Sequence, residues 1–178
     1  MWSSSVTTGA ELSIAGITAK ELAKEFGTPT FFIDEADFRA RALAWNAALQ
    51  EAFGDKAGTV YYASKAFACT EVARWIKDLG IGIDVSTGGE MAVALAGGVD
   101  PKKIEVHGNN KSVAEIEKAI SVGVETIVID SMYEIDRVAT AAAKAGKVQR
   151  VLLRLTPGIE AHTHESIATA HEDVKFGF

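Results

Sequence analysis

A single cysteine in 178 residues, Cys69, excludes an internal disulfide framework and fits a reducing compartment. Basic residues are the minority, 18 against 24 acidic, and the net charge of −6 offers nothing to nucleic acid or an anionic membrane. An anionic ligand therefore needs a local cationic site that works against the global field. No apolar run approaches the roughly 20 residues of a membrane span. The opening "MWSSSVTTGAE" has neither the basic start nor the apolar stretch of a signal peptide, so the default expectation is a cytoplasmic protein whose residues 1–8 are a mobile tail. With only three prolines and no low-complexity segment, the chain shows no linker.

Hydrophobic residues make up 48% and charged residues 24%, the balance of a globular chain long enough for one sizeable core. From residue 58 onward two kinds of segment alternate. The β-rich runs are "TVYYAS", "GIGIDV", "KIEVHG", "ETIVIDS" and "RVLLRLT". Between them, "TEVARWIKDLG" places Val72, Trp75, Ile76 and Leu79 on one helical face and stops at Gly80. "GGEMAVALAGG" reads as a short helix, and two further helices open on capping boxes, Ser112 with Glu115 and Ser131 with Glu134. The strands are apolar nearly throughout, the pattern of a parallel sheet covered on both faces. Upstream, "TPTFFID" predicts an isolated strand, followed by a long amphipathic helix from about Glu35 to Phe53 and a turn at "FGDKAG".

Five βα units suit an open doubly wound sheet or most of an eight-stranded barrel. The first junction, "ASKAFACTE", contains no glycine, which removes the dinucleotide-binding fingerprint. A barrel instead places functional residues at the C-terminal ends of several strands. Those ends carry Ser64 and Lys65, Asp84 and Ser86, His107 with Asn109 and Asn110, Asp130 with Ser131, and Arg154 with Thr156. The fold class expected is α/β, a partial TIM barrel of about five βα units.

Each candidate has two readings. Lys65 is a solvated strand-end lysine, or an amine with small neighbours, Ser64 and Ala66, that leave room for a ligand. In the second reading Tyr61, Tyr62 and Phe67 partly desolvate the amine and free its lone pair for Schiff-base chemistry. Asp84 and Glu90 are a solvated pair or part of a site, and Gly88 and Gly89 start a helix or admit a ligand to the backbone. His107, Asn109 and Asn110 are ordinary turn residues or a hydrogen-bonding wall. Arg154 pairs with Asp130 or Glu90, or holds ligand oxygens. His162, His164, Glu165 and His171 have metal-ligating side chains, but spacing alone shows no convergence, and no metal is expected.

"YYASKAF" resembles the Y-A-x-K-A signature of the alanine-racemase-like, fold-type III pyridoxal-phosphate enzymes. The resemblance continues in order through "GIDVSTGGE", "KIEVHGNNKS", "VIDSMYEIDRV", "VLLRLTPGIEAHTHE" and "HEDVKFGF". Together "HGNNK", "PGIEAHTHE" and "KFGF" are similar to the diaminopimelate decarboxylase branch of that family. The resemblance covers roughly residues 17–178 and implies pyridoxal 5'-phosphate as cofactor, held by Lys65 as a Schiff base. Asp84, His107 and Arg154 are then the remaining cofactor-binding candidates, with a small amino acid as ligand. It implies decarboxylation of meso-diaminopimelate to L-lysine and carbon dioxide in a cytoplasmic homodimer. Ornithine- or arginine-type decarboxylases of the same fold, and a non-catalytic cofactor-binding or regulatory protein, are the alternatives.

The resemblance also implies a division of the chain: a tail over 1–16, a segment joining a second β domain over 17–34, and an incomplete barrel over 35–178. In such enzymes the ring-stacking histidine, the glycine-rich phosphate loop, the acid at the pyridine nitrogen and the β domain all follow the fifth strand. The expectation is therefore the N-terminal portion of a longer decarboxylase, with little turnover by itself and an exposed sheet edge.

Overall fold

All five β-rich runs form strands in the computed structural model, which describes residues 6–9, 11–158 and 175–178. The strands are β4 (Tyr61–Ala63), β5 (Gly82–Val85), β6 (Ile104–Val106), β7 (Thr126–Ile129) and β8 (Val151–Leu153). They pair in chain order, every neighbour parallel. Each interval holds one helix: α3 (Thr70–Leu79), α4 (Gly88–Ala96), α5 (Val113–Val122) and α6 (Met132–Lys144). This is the five-stranded portion of an α/β barrel.

Helix positions follow local chemistry. Ser112 accepts from the Glu115 amide while Glu115 reaches back to the cap, and Gly80 and Gly123 end α3 and α5 in left-handed conformation. The core lies between sheet and helices. Ile83, Val85, Ile104, Val106, Ile127 and Ile129 are buried there against Val72, Ile76, Ile116 and Ile120. Val151, Leu152 and Leu153 of β8 are exposed, so this edge leaves apolar side chains uncovered among the described residues.

The expected box at Ser131 does not form. Ser131 is the cap residue of α6 without a side-chain bond, because Glu134 turns inward to a buried lysine, Lys111. A buried ammonium holds a carboxylate more tightly than an exposed backbone amide does.

Residues Met1–Val60 form a separate unit. Strands β1 (Val6–Thr8), β2 (Leu12–Ile14) and β3 (Ile17–Thr18) make an antiparallel sheet. Val6–Thr8 is thus a paired strand where a mobile tail is expected; the rest of that tail, residues 1–5, lies outside the described residues. Ala15 and Gly16, both with positive φ, form the two-residue turn between β2 and β3. Helix α1 (Ala19–Phe26) opens on a capping box of Thr18 and Glu21.

"TPTFFID" is not a strand. A run rich in Phe and Ile has strand propensity, yet a strand exists only when its amides and carbonyls find a ladder, and this run has none among the described residues. Helix α2 (Glu35–Phe53) has the expected bounds and an Asp34 cap, but no residue of it is buried. Leu43 and Trp45 stand two apart, about 200° around the helix, and both are exposed. Its apolar residues encircle the helix instead of forming one stripe.

Candidate functional site

The C-terminal ends of the strands surround a cavity of about 420 Å³, within the ordinary range of small-molecule pockets. Lys65, Asp84, His107 and Arg154, the four residues singled out from sequence, all line it. They come from four different strand ends, the arrangement a barrel mouth produces.

The ladder explains why side chains so far apart in sequence meet. Asp84 on β5 lies opposite Glu105 on β6, and register partners in a sheet share a face. His107, two residues beyond Glu105, continues on that face. Its Nε2 lies 2.7 Å from Glu105 Oε1 and 3.9 Å from Asp84 Oδ2. One imidazole nitrogen thus faces two carboxylates. Burial pushes the Asp84 carboxyl above its usual value; His107 and Lys65 oppose the shift, whereas Glu105 and Glu90 add to it.

Lys65 sits in the 3-10 turn Ser64–Ala66 directly after β4, and it is exposed. The aromatic desolvation expected for it does not occur. Tyr62 donates its hydroxyl to the Phe67 carbonyl at 2.8 Å, and the Tyr61 ring occupies the space above Gly82. Ser64 beside the lysine is buried, and its Oγ has no hydrogen-bond partner among the described residues.

The N-terminus of α4 is closed by protein carboxylates. Glu90 accepts from the Ser86 and Thr87 amides, and Glu115 accepts from the Gly88 amide at 2.6 Å. Glu90 is therefore a capping residue, partner neither to Asp84 nor to Arg154. Gly88 starts the helix and lets Glu115 approach, since a Cβ there would stand 3.1 Å from Glu115 Cγ. Gly108 closes the next loop; its φ of 102° disfavours other residues, and a Cβ would meet the Ser86 carbonyl at 2.9 Å.

Arg154 follows β8. Its Nη1 is 3.9 Å from Asp130 Oδ1, and its guanidinium lies 4.2 Å over the Phe176 ring. The loose approach to Asp130 leaves this arginine part of the cavity wall. Asn109 donates to the Lys175 carbonyl, and the Gly177 amide donates to Asp130, so residues 175–178 close the same side.

Two features escaped the sequence reading. Glu105 is hidden in an otherwise apolar strand, though the alternation Ile104-Glu105-Val106-His107 announces an acid facing away from the core. Lys111, the last residue of "HGNNK", is buried and bonds to the Gly108 carbonyl and to Glu134. Glu134 in turn accepts from the Asp130 amide at 2.9 Å. This chain ties the ends of β6 and β7 beneath the cavity. His162, His164, Glu165 and His171 lie outside the described residues.

The family model described as pyridoxal-dependent decarboxylase, pyridoxal binding domain, matches residues 35–178. The chain belongs to this family. A diaminopimelate decarboxylase of Mycobacterium bovis is 57% identical over 164 residues, which is 92% of this chain and 36% of that protein. The chain thus spans little more than a third of the relative it matches. Among solved structures, the diaminopimelate decarboxylase of M. jannaschii superposes with a TM-score of 0.86 at 30% identity, covering 99% of this chain and 41% of that one. The same enzyme in complex with L-lysine gives 0.83, covering 98% and 41%.

Proposed function

We propose that this chain is the lysine-bearing part of a pyridoxal 5'-phosphate-dependent carboxy-lyase that converts meso-diaminopimelate to L-lysine and carbon dioxide. The observation that carries the reading is the convergence of Lys65, Asp84, His107 and Arg154 on one cavity. The identity to named diaminopimelate decarboxylases and the lysine bound in a similar structure support the substrate. In this reading residues 35–178 are the cofactor-binding barrel portion, 17–34 join a second β domain, and the intact protein is a cytoplasmic homodimer.

The residues present fit the cofactor. Lys65 is an accessible amine in a small-residue turn, and the Ser64 hydroxyl beside it is buried and has no partner among the described residues. Lys65 and Arg154 bring two cationic side chains to a cavity that Asp84 and Glu115 also line. When bound, the cofactor supplies the electron sink for loss of a carboxylate. Lys65 Nζ would hold it. Arg154 would hold anionic oxygens, and Asp84 would hold charge or a proton, from the wall of the same cavity. The amides of Ser86, Thr87 and Gly88 already serve Glu90 and Glu115 and are not free to hold a phosphate.

In the intact polypeptide, Lys65→Ala removes both the visible absorbance of the protein-bound cofactor and carbon dioxide release from meso-diaminopimelate. Retention of the absorbance band overturns the lysine assignment. Release from ornithine or arginine, but not from diaminopimelate, overturns the substrate. Binding without any turnover across an amino-acid panel favours the regulatory alternative.

A further inference from the structure

We propose that Glu105 is a positioning residue that fixes His107 in the Nε2–H tautomer and leaves Nδ1 as the ring's hydrogen-bond acceptor. Glu105 lies mid-strand between the buried Ile104 and Val106, so its backbone is held by ladders on both sides. Its side chain is mostly covered and has little freedom. An ionised carboxylate only accepts hydrogen bonds, so the nitrogen 2.7 Å from Glu105 Oε1 must carry the proton. Asp84 Oδ2 lies 3.9 Å from that same nitrogen and reinforces the choice. A second-layer partner on one imidazole nitrogen commonly decides what the other presents.

The ionisable groups around the ring are Glu105 on β6, Asp84 on β5, Lys65 after β4, Arg154 after β8 and Glu115 on α5. No second histidine lines the cavity among the described residues. In its neutral form the imidazole then offers a lone pair at Nδ1, in a cavity that Ser86, Thr87, Asn109 and Asn110 also line. A ligand hydroxyl or ammonium is the chemistry such an acceptor takes. The activity consequences rest on the function proposed above; the tautomer does not.

The test begins with the full chain carrying 15N-histidine, above the ordinary histidine titration range. The His107 signals are identified by their loss in His107→Ala. The expected result is Nε2–H for His107 in the wild type and in Glu105→Gln, whose amide oxygen accepts the same bond. Glu105→Ala yields a mixture of tautomers. A wild-type Nδ1–H form, or an unchanged tautomer in Glu105→Ala, overturns the proposal. In the intact polypeptide, Glu105→Ala lowers kcat/KM by tenfold or more and Glu105→Gln restores it to within about threefold. In a His107→Ala background, Glu105→Ala causes no further loss. Additive losses overturn the proposal, since Glu105 would then act independently of the ring. Absence of any decarboxylation overturns the assigned function and leaves the tautomer measurement to decide this inference.

Discussion

Replacing Lys111 with methionine keeps most of its length and removes the ammonium. The lysine and glutamate side chains are 2% and 7% exposed, and Nζ lies 3.0 Å from Glu134. At an effective dielectric constant near 20, charges at that distance attract by about 5–6 kcal/mol, partly offset by their desolvation. The variant leaves Glu134 buried with the Asp130 amide as its remaining donor, and leaves the Gly108 carbonyl without the amine. Stranding a buried charge in this way costs about 3–5 kcal/mol. That is a large part of the stability of an ordinary domain, about 5–15 kcal/mol. Urea unfolding reads the loss directly, with an unchanged m-value as the sign that compactness is preserved. Lys111→Met combined with Glu134→Leu removes both charges and is expected to recover at least about 2 kcal/mol relative to the sum of the single changes. A Lys111→Met cost below about 1 kcal/mol, or strict additivity in the double variant, refutes the view of this pair as a mutually dependent buried clamp.

Gly97→Ala would place a Cβ 2.3 Å from the Ala73 Cβ and about 3 Å from its backbone, forcing α3 and α4 apart. A loss of about 1–3 kcal/mol is expected, whereas Gly89→Ala, whose new Cβ meets only Thr87 Oγ1 at 3.8 Å, should leave the unfolding midpoint nearly unchanged. Asp84→Asn is expected to stabilise the fold at neutral pH. Burial first, then Glu105 against His107, raises the folded carboxyl above its usual 3.8, so the folded state binds more protons than the unfolded one just above that value. Ionising Asp84 therefore weakens the fold as pH rises through this window. The asparagine variant's advantage should be present at about pH 7, fade as pH falls toward the usual 3.8 and be absent below it, and equal gains at neutral pH and below 3.8 in urea titrations contradict the assignment.

The barrel portion was legible because its strands face helices, so Ile83, Val85, Ile104 and Ile127 appear as apolar runs bounded by glycine. The same runs concealed the inner face. Asp84, Glu105 and His107 share a side through ladder register, which no local window contains. Lys65 could be found from its motif, but its exposure could not, because Tyr61 and Tyr62 find partners elsewhere. Ser131 and Glu134 have the spacing of a cap, yet Lys111, more than twenty positions away, attracts the carboxylate. At the other end, "TPTFFID" has the composition of a strand without a ladder, and composition does not report whether a partner exists.

The pairing of Asp84 with Glu105 has a consequence for how the sheet is assembled. A slip of β6 by one residue against β5 would exchange its two faces, carrying Glu105 into the layer where Ile104 and Val106 now meet the helices. An unpaired carboxylate in that layer would cost several kcal/mol, or demand a proton. His107, on the same face as Glu105, would be displaced with it. The acid that holds His107 therefore also proofreads the alignment of the strands, and a chain that folds with the wrong register loses its core and its site in a single error.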